Sequence, residues 1–116
     1  MNTISLANKK CAPCEGNMAA LDSNAVQALL DGLGAGWAIN DAGHLYKKYS
    51  LSDFMGPMAL ANQIAELAEQ EGHHPDLTIR WGICAVEIWT HAVHGLTEND
   101  FILAAKIDGL VPKNKA

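Results

Sequence analysis

Basic charge is scarce in this chain: eight Lys and Arg stand against 13 Asp and Glu in 116 residues, for a net charge of -5. The few cations are scattered and form no stripe. Direct nucleic-acid binding, which needs clustered positive charge to displace counterions from phosphates, is therefore excluded. Long hydrophobic runs are missing too. The longest fall far short of the roughly 20 residues a membrane span requires. Residues 1–10 are polar and hold no apolar core of a secretory signal. Cysteine is sparse and odd in number, with three in all; reduced thiols in the cytoplasm explain that better than a disulfide framework. Repeats and low-complexity tracts are absent. Gly32-Leu33-Gly34-Ala35-Gly36 is not GxGxxG and precedes a strand pattern instead of opening a helix, so it reads as a turn and no phosphate loop is expected.

What is present is enough apolar material for one core. Hydrophobic residues make up 49% of the chain and charged residues 18%, the composition of a single folded domain without disorder. Residues 1–20 lack periodicity and read as a flexible arm, leaving residues 21–116 as the domain. Asp22 or Ser23 can cap a first helix carrying Val26, Leu29, Leu30 and Leu33 at helical spacing. Two short strands are expected at residues 37–40 and 45–51, the second plausibly at a sheet edge because its burial pattern is unclear. Ser52 or Asp53 then caps a long helix over about residues 53–71, with Pro57 in its first turn and Gly72 at its end. Its apolar stripe is expected along Phe54, Met58, Ala61, Ile64, Ala65 and Ala68. Trp37 and the methionines of the long helix are expected in the core.

Two more strands follow at residues 77–81 and 83–91, with Gly82 near the turn. In the second, Val86, Ile88 and Thr90 point one way, and Glu87, Trp89 and His91 the other. Thr97-Glu98-Asn99-Asp100 opens a last helix with a capping-box pattern, Asp standing where Glu is usual. Phe101, Ala104, Ala105 and Asp108 share a face of it. The order α-β-β-α-β-β-α with hairpin-length links predicts an α+β fold: a four-stranded antiparallel sheet with three helices on one face.

The chemistry concentrates in Glu69-Gln70-Glu71-Gly72-His73-His74-Pro75, followed by Trp81 and Thr90-His91. Pro75 forces His74 toward an extended backbone, so the two adjacent rings should project differently. Glu69 lies one helical turn before His73 and can orient an imidazole or hold a ligand amino group. Folding the second hairpin brings His91 back beside His73 and His74. Three groups that titrate near neutrality suit a reaction that moves protons without redox change. None of them should be buried in a salt bridge that locks it charged. A three-histidine metal site is a poor fit, since vicinal histidines rarely reach one ion and the helical i,i+4 spacing is missing. Cys11-Ala12-Pro13-Cys14 has CxxC spacing, yet no second pair completes a zinc set, so no metal is expected there either. His44 and His94 read as surface residues.

Taken together, Glu69, His73-His74-Pro75, Trp81, Thr90-His91, Gly95-Leu96-Thr97 and Asp100-Phe101 resemble the signature of the pterin-4a-carbinolamine dehydratase family. The motif core runs over residues 69–101. The resemblance implies a shallow pterin pocket and an enzyme without cofactor that removes water from 4a-hydroxytetrahydrobiopterin to give quinonoid dihydropterin. It thereby implies support for tetrahydrobiopterin regeneration during aromatic amino-acid hydroxylation. It implies His73, His74 and His91 as catalytic groups: His73 and His91 as acids toward the 4a-hydroxyl, His74 as pterin binder and helper at the N5 proton. Gly72, Trp89 and Thr90 are implied to line the substrate, and Glu69 to orient it. Gly72 stands where some members have an acidic residue, and Leu77 replaces an aromatic. Asp100 is as plausible a helix cap as a substrate contact. The family also implies a homodimer or homotetramer without membrane or direct nucleic-acid contact. A dimerisation or coactivator-type binding role, or a pterin-cofactor accessory role, is the alternative.

Overall fold

Residues 83–88 carry the alternation that sets the middle of the sheet, with Cys84, Val86 and Ile88 fully buried between less covered neighbours. The computed structural model describes residues 6–11 and 19–111. Its elements are α1 (Ser23–Asp31), β1 (Ala38–Ile39), β2 (Leu45–Ser50), α2 (Met55–Glu71), β3 (Asp76–Arg80), β4 (Ile83–Ile88) and α3 (Glu98–Asp108). The strands lie in the order β1-β2-β4-β3, antiparallel throughout. The expected α+β architecture is the one observed. Leu45 pairs with Ile88, Lys47 with Val86 and Tyr49 with Cys84, so these side chains share the helix-covered face. Tyr46 and Glu87 pair on the opposite face. Each large side chain buried in this core, Leu45, Ile64, Ile88 and Phe101 among them, stabilises the fold by about 1.5–3 kcal/mol.

Asp22 caps α1 by accepting from the Ala25 amide at 2.9 Å. Asp53 accepts from the Gly56 amide at 2.7 Å just ahead of α2, and Pro57 is buried in the first turn where its missing N–H costs nothing. Thr97 and Asp100 form the capping box of α3. No helix among the described residues is long and apolar enough to cross a membrane.

Several expectations change. β2 is central, not an edge: β1 flanks one side and β4 the other. Its inner face looked ambiguous because it carries Lys47 and Tyr49. Both reach Asp108 on α3, Lys47 Nζ at 2.9 Å and the Tyr49 hydroxyl at 2.6 Å, while Trp37 Nε1 donates to the same carboxylate at 3.0 Å. Burial and that neighbouring carboxylate push the Tyr49 pKa far up, so its hydroxyl stays a donor. Trp37 is in the core as expected.

The stripe of α2 is rotated from the one expected. Pro57, Leu60, Ile64 and Ala68 are buried, whereas Phe54, Met55, Met58 and Ala65 are exposed. Helix α3 is covered nearly all round, burying Asn99 to Ala104 and Ile107, because the short 3-10 turn Leu6–Asn8 lies against it as well as α2 and α1. The described part of the arm is thus packed. The Cys11 amide donates to Glu71 at 2.9 Å, and Lys9 pairs with Glu98 at 2.6 Å. Cys14 lies outside the described residues. β4 ends at Ile88, and His91 opens a short 3-10 turn instead of ending the strand.

Candidate active site

The site forms where α2 stops. Gly72 takes a left-handed conformation, φ 68°, with its amide on the Ala68 carbonyl. A residue with a Cβ is strained there. The reversal breaks helical spacing between Glu69 and His73. It turns His73 inward and swings His74 back over the last turn, with Pro75 continuing into β3. Glu69 therefore reaches His74 Nε2, at 2.7 Å, and not His73. Both partners of that pair are exposed, and the two rings do project differently, as expected.

His73 is buried, and its Nε2 lies 2.6 Å from Asp100 Oδ1. An ionised carboxylate only accepts, so Nε2–H donates. Asp100 is fully buried, and its second oxygen accepts from the Thr90 hydroxyl and the Thr97 amide, each at 2.8 Å. The Thr90 proton being committed, the Thr97 hydroxyl donates to Thr90 Oγ1 at 2.9 Å. One carboxylate thus joins three elements: the turn after α2, the segment after β4, and the first turn of α3. Of the three site histidines, His73 is the one held in a buried carboxylate pair. Asp100, from sequence as plausible a cap as a substrate contact, is a cap that also fixes an imidazole.

His91 is exposed and stacks on Trp89, ring centroids 4.2 Å apart at 23°. The other face of Trp89 is covered by His44, centroids 4.0 Å apart and 4° from parallel. His44 is not the partnerless surface residue it looked. Its Nδ1 lies 2.6 Å from Glu87 Oε2, which also accepts from Asn40 at 3.0 Å. Hydrogen bonds from His44 and Asn40 hold the Glu87 carboxyl below its usual range against the opposing effect of burial.

Gly72, His73, His74, Trp89, Thr90, His91 and Ala92 line one open cavity of about 280 Å³. All three histidines named from the sequence border it, with Gly72, Trp89 and Thr90. Glu69 stands behind His74 and outside the lining. A larger hollow of about 420 Å³ between α1 and β1 is lined by Leu21, Val26, Ile39, Leu96 and small or uncharged neighbours. It has no titratable wall, whereas the smaller cavity is bordered by three imidazoles. Among the described residues no group of three or more His, Cys, Asp or Glu is arranged to hold a metal ion.

Residues 19–110 match the family model described as pterin 4 alpha carbinolamine dehydratase. A protein of Rickettsia bellii named as a pterin-4-alpha-carbinolamine dehydratase is 61% identical over 91% of this chain and 94% of its own. One from Methylococcus capsulatus carrying the same name is 42% identical over 95% and 96%. The crystal structure of a transcriptional coactivator/pterin dehydratase from Brucella melitensis superposes with a TM-score of 0.75 at 26% identity. It covers 80% of this chain and 99% of that one.

Proposed function

The chain belongs to the pterin-4a-carbinolamine dehydratase family, and from that premise we propose that it dehydrates 4a-hydroxytetrahydrobiopterin by histidine acid/base catalysis. The observation that carries this reading is the single open cavity bordered by His73, His74 and His91. Loss of water from the carbinolamine breaks the C4a–O bond. One proton goes to the departing hydroxyl, N5 gives one up, and a C4a=N5 double bond forms, leaving quinonoid dihydropterin. No electrons change hands. His73 and His91 deliver the proton to the hydroxyl from different sides, and His74 binds the ring and accepts the N5 proton. Asp100 serves His73 as the orienting carboxylate does in other acid/base pairs, holding one tautomer and one rotamer. Glu69 does the same for His74 at the exposed rim. Gly72, Trp89 and Thr90 border the substrate.

In this reading residues 21–116 are the catalytic domain, working in the cytoplasm on tetrahydrobiopterin regeneration for aromatic amino-acid hydroxylation. The buried Cys84 thiol, pushed up in pKa by burial, is compatible with a reducing compartment. Self-association into a homodimer or homotetramer is part of the proposal. Phe54, Met55, Met58 and Trp81 are exposed large apolar side chains. The Gly82 amide and the Asp53 carbonyl, bonded at 3.0 Å, bring their two segments together. The same patch supports the second reading, a coactivator-type binding role, which the Brucella relative's description includes.

Absorbance at the quinonoid dihydropterin band, after adding 4a-hydroxytetrahydropterin, tests the first reading. Acceleration over buffer is expected with no metal or cofactor supplied. A rate equal to buffer leaves the binding role.

A further inference from the structure

Trp89 borders the cavity, yet neither face of its indole is open. His91 covers one at a centroid distance of 4.2 Å and His44 the other at 4.0 Å. A flat ligand cannot stack on Trp89 without displacing one of these rings, so the indole offers the cavity its edge only. His44 is itself firmly placed. It directly precedes β2, where Leu45 pairs with Ile88 of β4, so extending that register by one residue sets His44 opposite Trp89. Its Nδ1 is tied to Glu87 at 2.6 Å, and Glu87 is tied to Asn40 at 3.0 Å. The Asn40 side chain in turn accepts from the His44 backbone amide at 2.9 Å, closing a ring of contacts around the turn between β1 and β2. Among the described residues His91 has no comparable anchor. It stands exposed in a short turn after β4, and the flat face of Trp89 is what it rests on.

We propose that His44 is a positioning residue for the dehydration, pressing on one face of Trp89 so that the other face holds the His91 ring at the mouth of the cavity. His44 is absent from the cavity lining and acts through two rings in series. The plate is anchored to the sheet through Glu87 and Asn40, and His91 inherits that rigidity although its own turn supplies little. Because His91 is one of the acids proposed above, this inference rests on the dehydratase reading. A ring misplaced by about 1 Å can cost up to 10²-fold in turnover, so the support has measurable consequences.

The test is His44→Ala, His44→Gln and His44→Phe in the full chain, read by steady-state dehydration of 4a-hydroxytetrahydropterin and by the imidazole proton resonances of His91. Protons over an indole face are shifted upfield. In His44→Ala the His91 resonances should move back toward unstacked positions, and kcat should fall about tenfold with KM little changed, since binding groups are untouched. His44→Gln, which can still bond Glu87 but offers no plate, should behave like Ala. His44→Phe, which keeps the plate and loses the bond, should restore most of kcat and the upfield shift. Unchanged kcat and unchanged His91 resonances in His44→Ala would overturn the proposal, as would rescue by Gln and not by Phe. Wild-type protein without dehydratase activity would remove the functional reading alone, and the His91 resonances would then decide the positioning role by themselves.

Discussion

At the scale of single residues, the sequence shows the histidines and conceals what holds them. His73-His74-Pro75 and Thr90-His91 are visible as a cluster because residue type and spacing are local. Asp100 reads as a helix cap or a substrate contact and not as the partner of His73, which is 27 positions away with nothing local to couple them. The two carboxylate–imidazole pairs differ in burial, and so in what their loss does. Removing Asp100 takes away the carboxylate shared by the buried His73 ring, the Thr97 amide and the Thr90 hydroxyl. Asp100→Ala should therefore destabilise the protein by about 3–5 kcal/mol, read as a lower urea midpoint at constant slope. The Glu69–His74 pair lies in solvent. Glu69→Ala should shift stability by no more than about 1 kcal/mol and show its effect in pterin affinity instead. An equal loss of stability in both variants would mean that Asp100 is not the hub described above.

At the scale of elements, helices and hairpins were legible from caps, glycines and period, while their neighbours were not. The edge placement expected for β2 fails because Lys47 and Tyr49 look polar until α3 supplies Asp108 to receive them. The expected stripe of α2 counted Phe54 and Met58, which are helical-phase residues of the right type. Leu60 and Leu67 turn the buried face elsewhere. The arm read as loose, yet residues 6–11 are fastened between α2 and α3, chiefly by Glu71. Burial raises the Glu71 pKa, but the Cys11 amide and the Lys106 and Lys10 ammoniums outweigh it, so the carboxyl is held below its usual range. A folded value below the unfolded one gives stabilisation that is complete above the ordinary carboxylate range. That stabilisation disappears as pH falls through the depressed value. Amide exchange at Cys11 should therefore be protected at neutral pH and lose protection in acid, and Glu71→Gln should be poorly protected throughout. Protection that does not change with pH would separate Glu71 from the docking. Gly72→Ala, at a φ of 68°, should cost about 1–2 kcal/mol and disturb the placement of both neighbouring histidines.

At the scale of the whole molecule, fold class was legible because α-β-β-α-β-β-α with short links admits few antiparallel arrangements, and family because the motif spacing is long and fixed. Self-association is implied by the resemblance, but the surface for it was not legible, since an exposed patch is recognised only once the chain is folded. Phe54 and Met58 belong to the apolar stripe expected of α2, and their exposure is the ground on which the self-association proposal rests. Light scattering at micromolar concentration should give a dimer or tetramer, and a Met55→Glu/Trp81→Glu variant should shift toward monomer. A wild-type monomer would contradict the assembly proposal. The central claim is that one cavity bordered by three histidines carries out the dehydration. It is tested most directly by turnover of 4a-hydroxytetrahydropterin in the wild type and in His73→Ala, His74→Ala and His91→Ala. The account predicts a fast wild type, and losses of about 10²–10⁴ in kcat for His73→Ala or His91→Ala, less where one substitutes for the other. His74→Ala should raise KM and lower kcat together. Full activity in all three variants would contradict it.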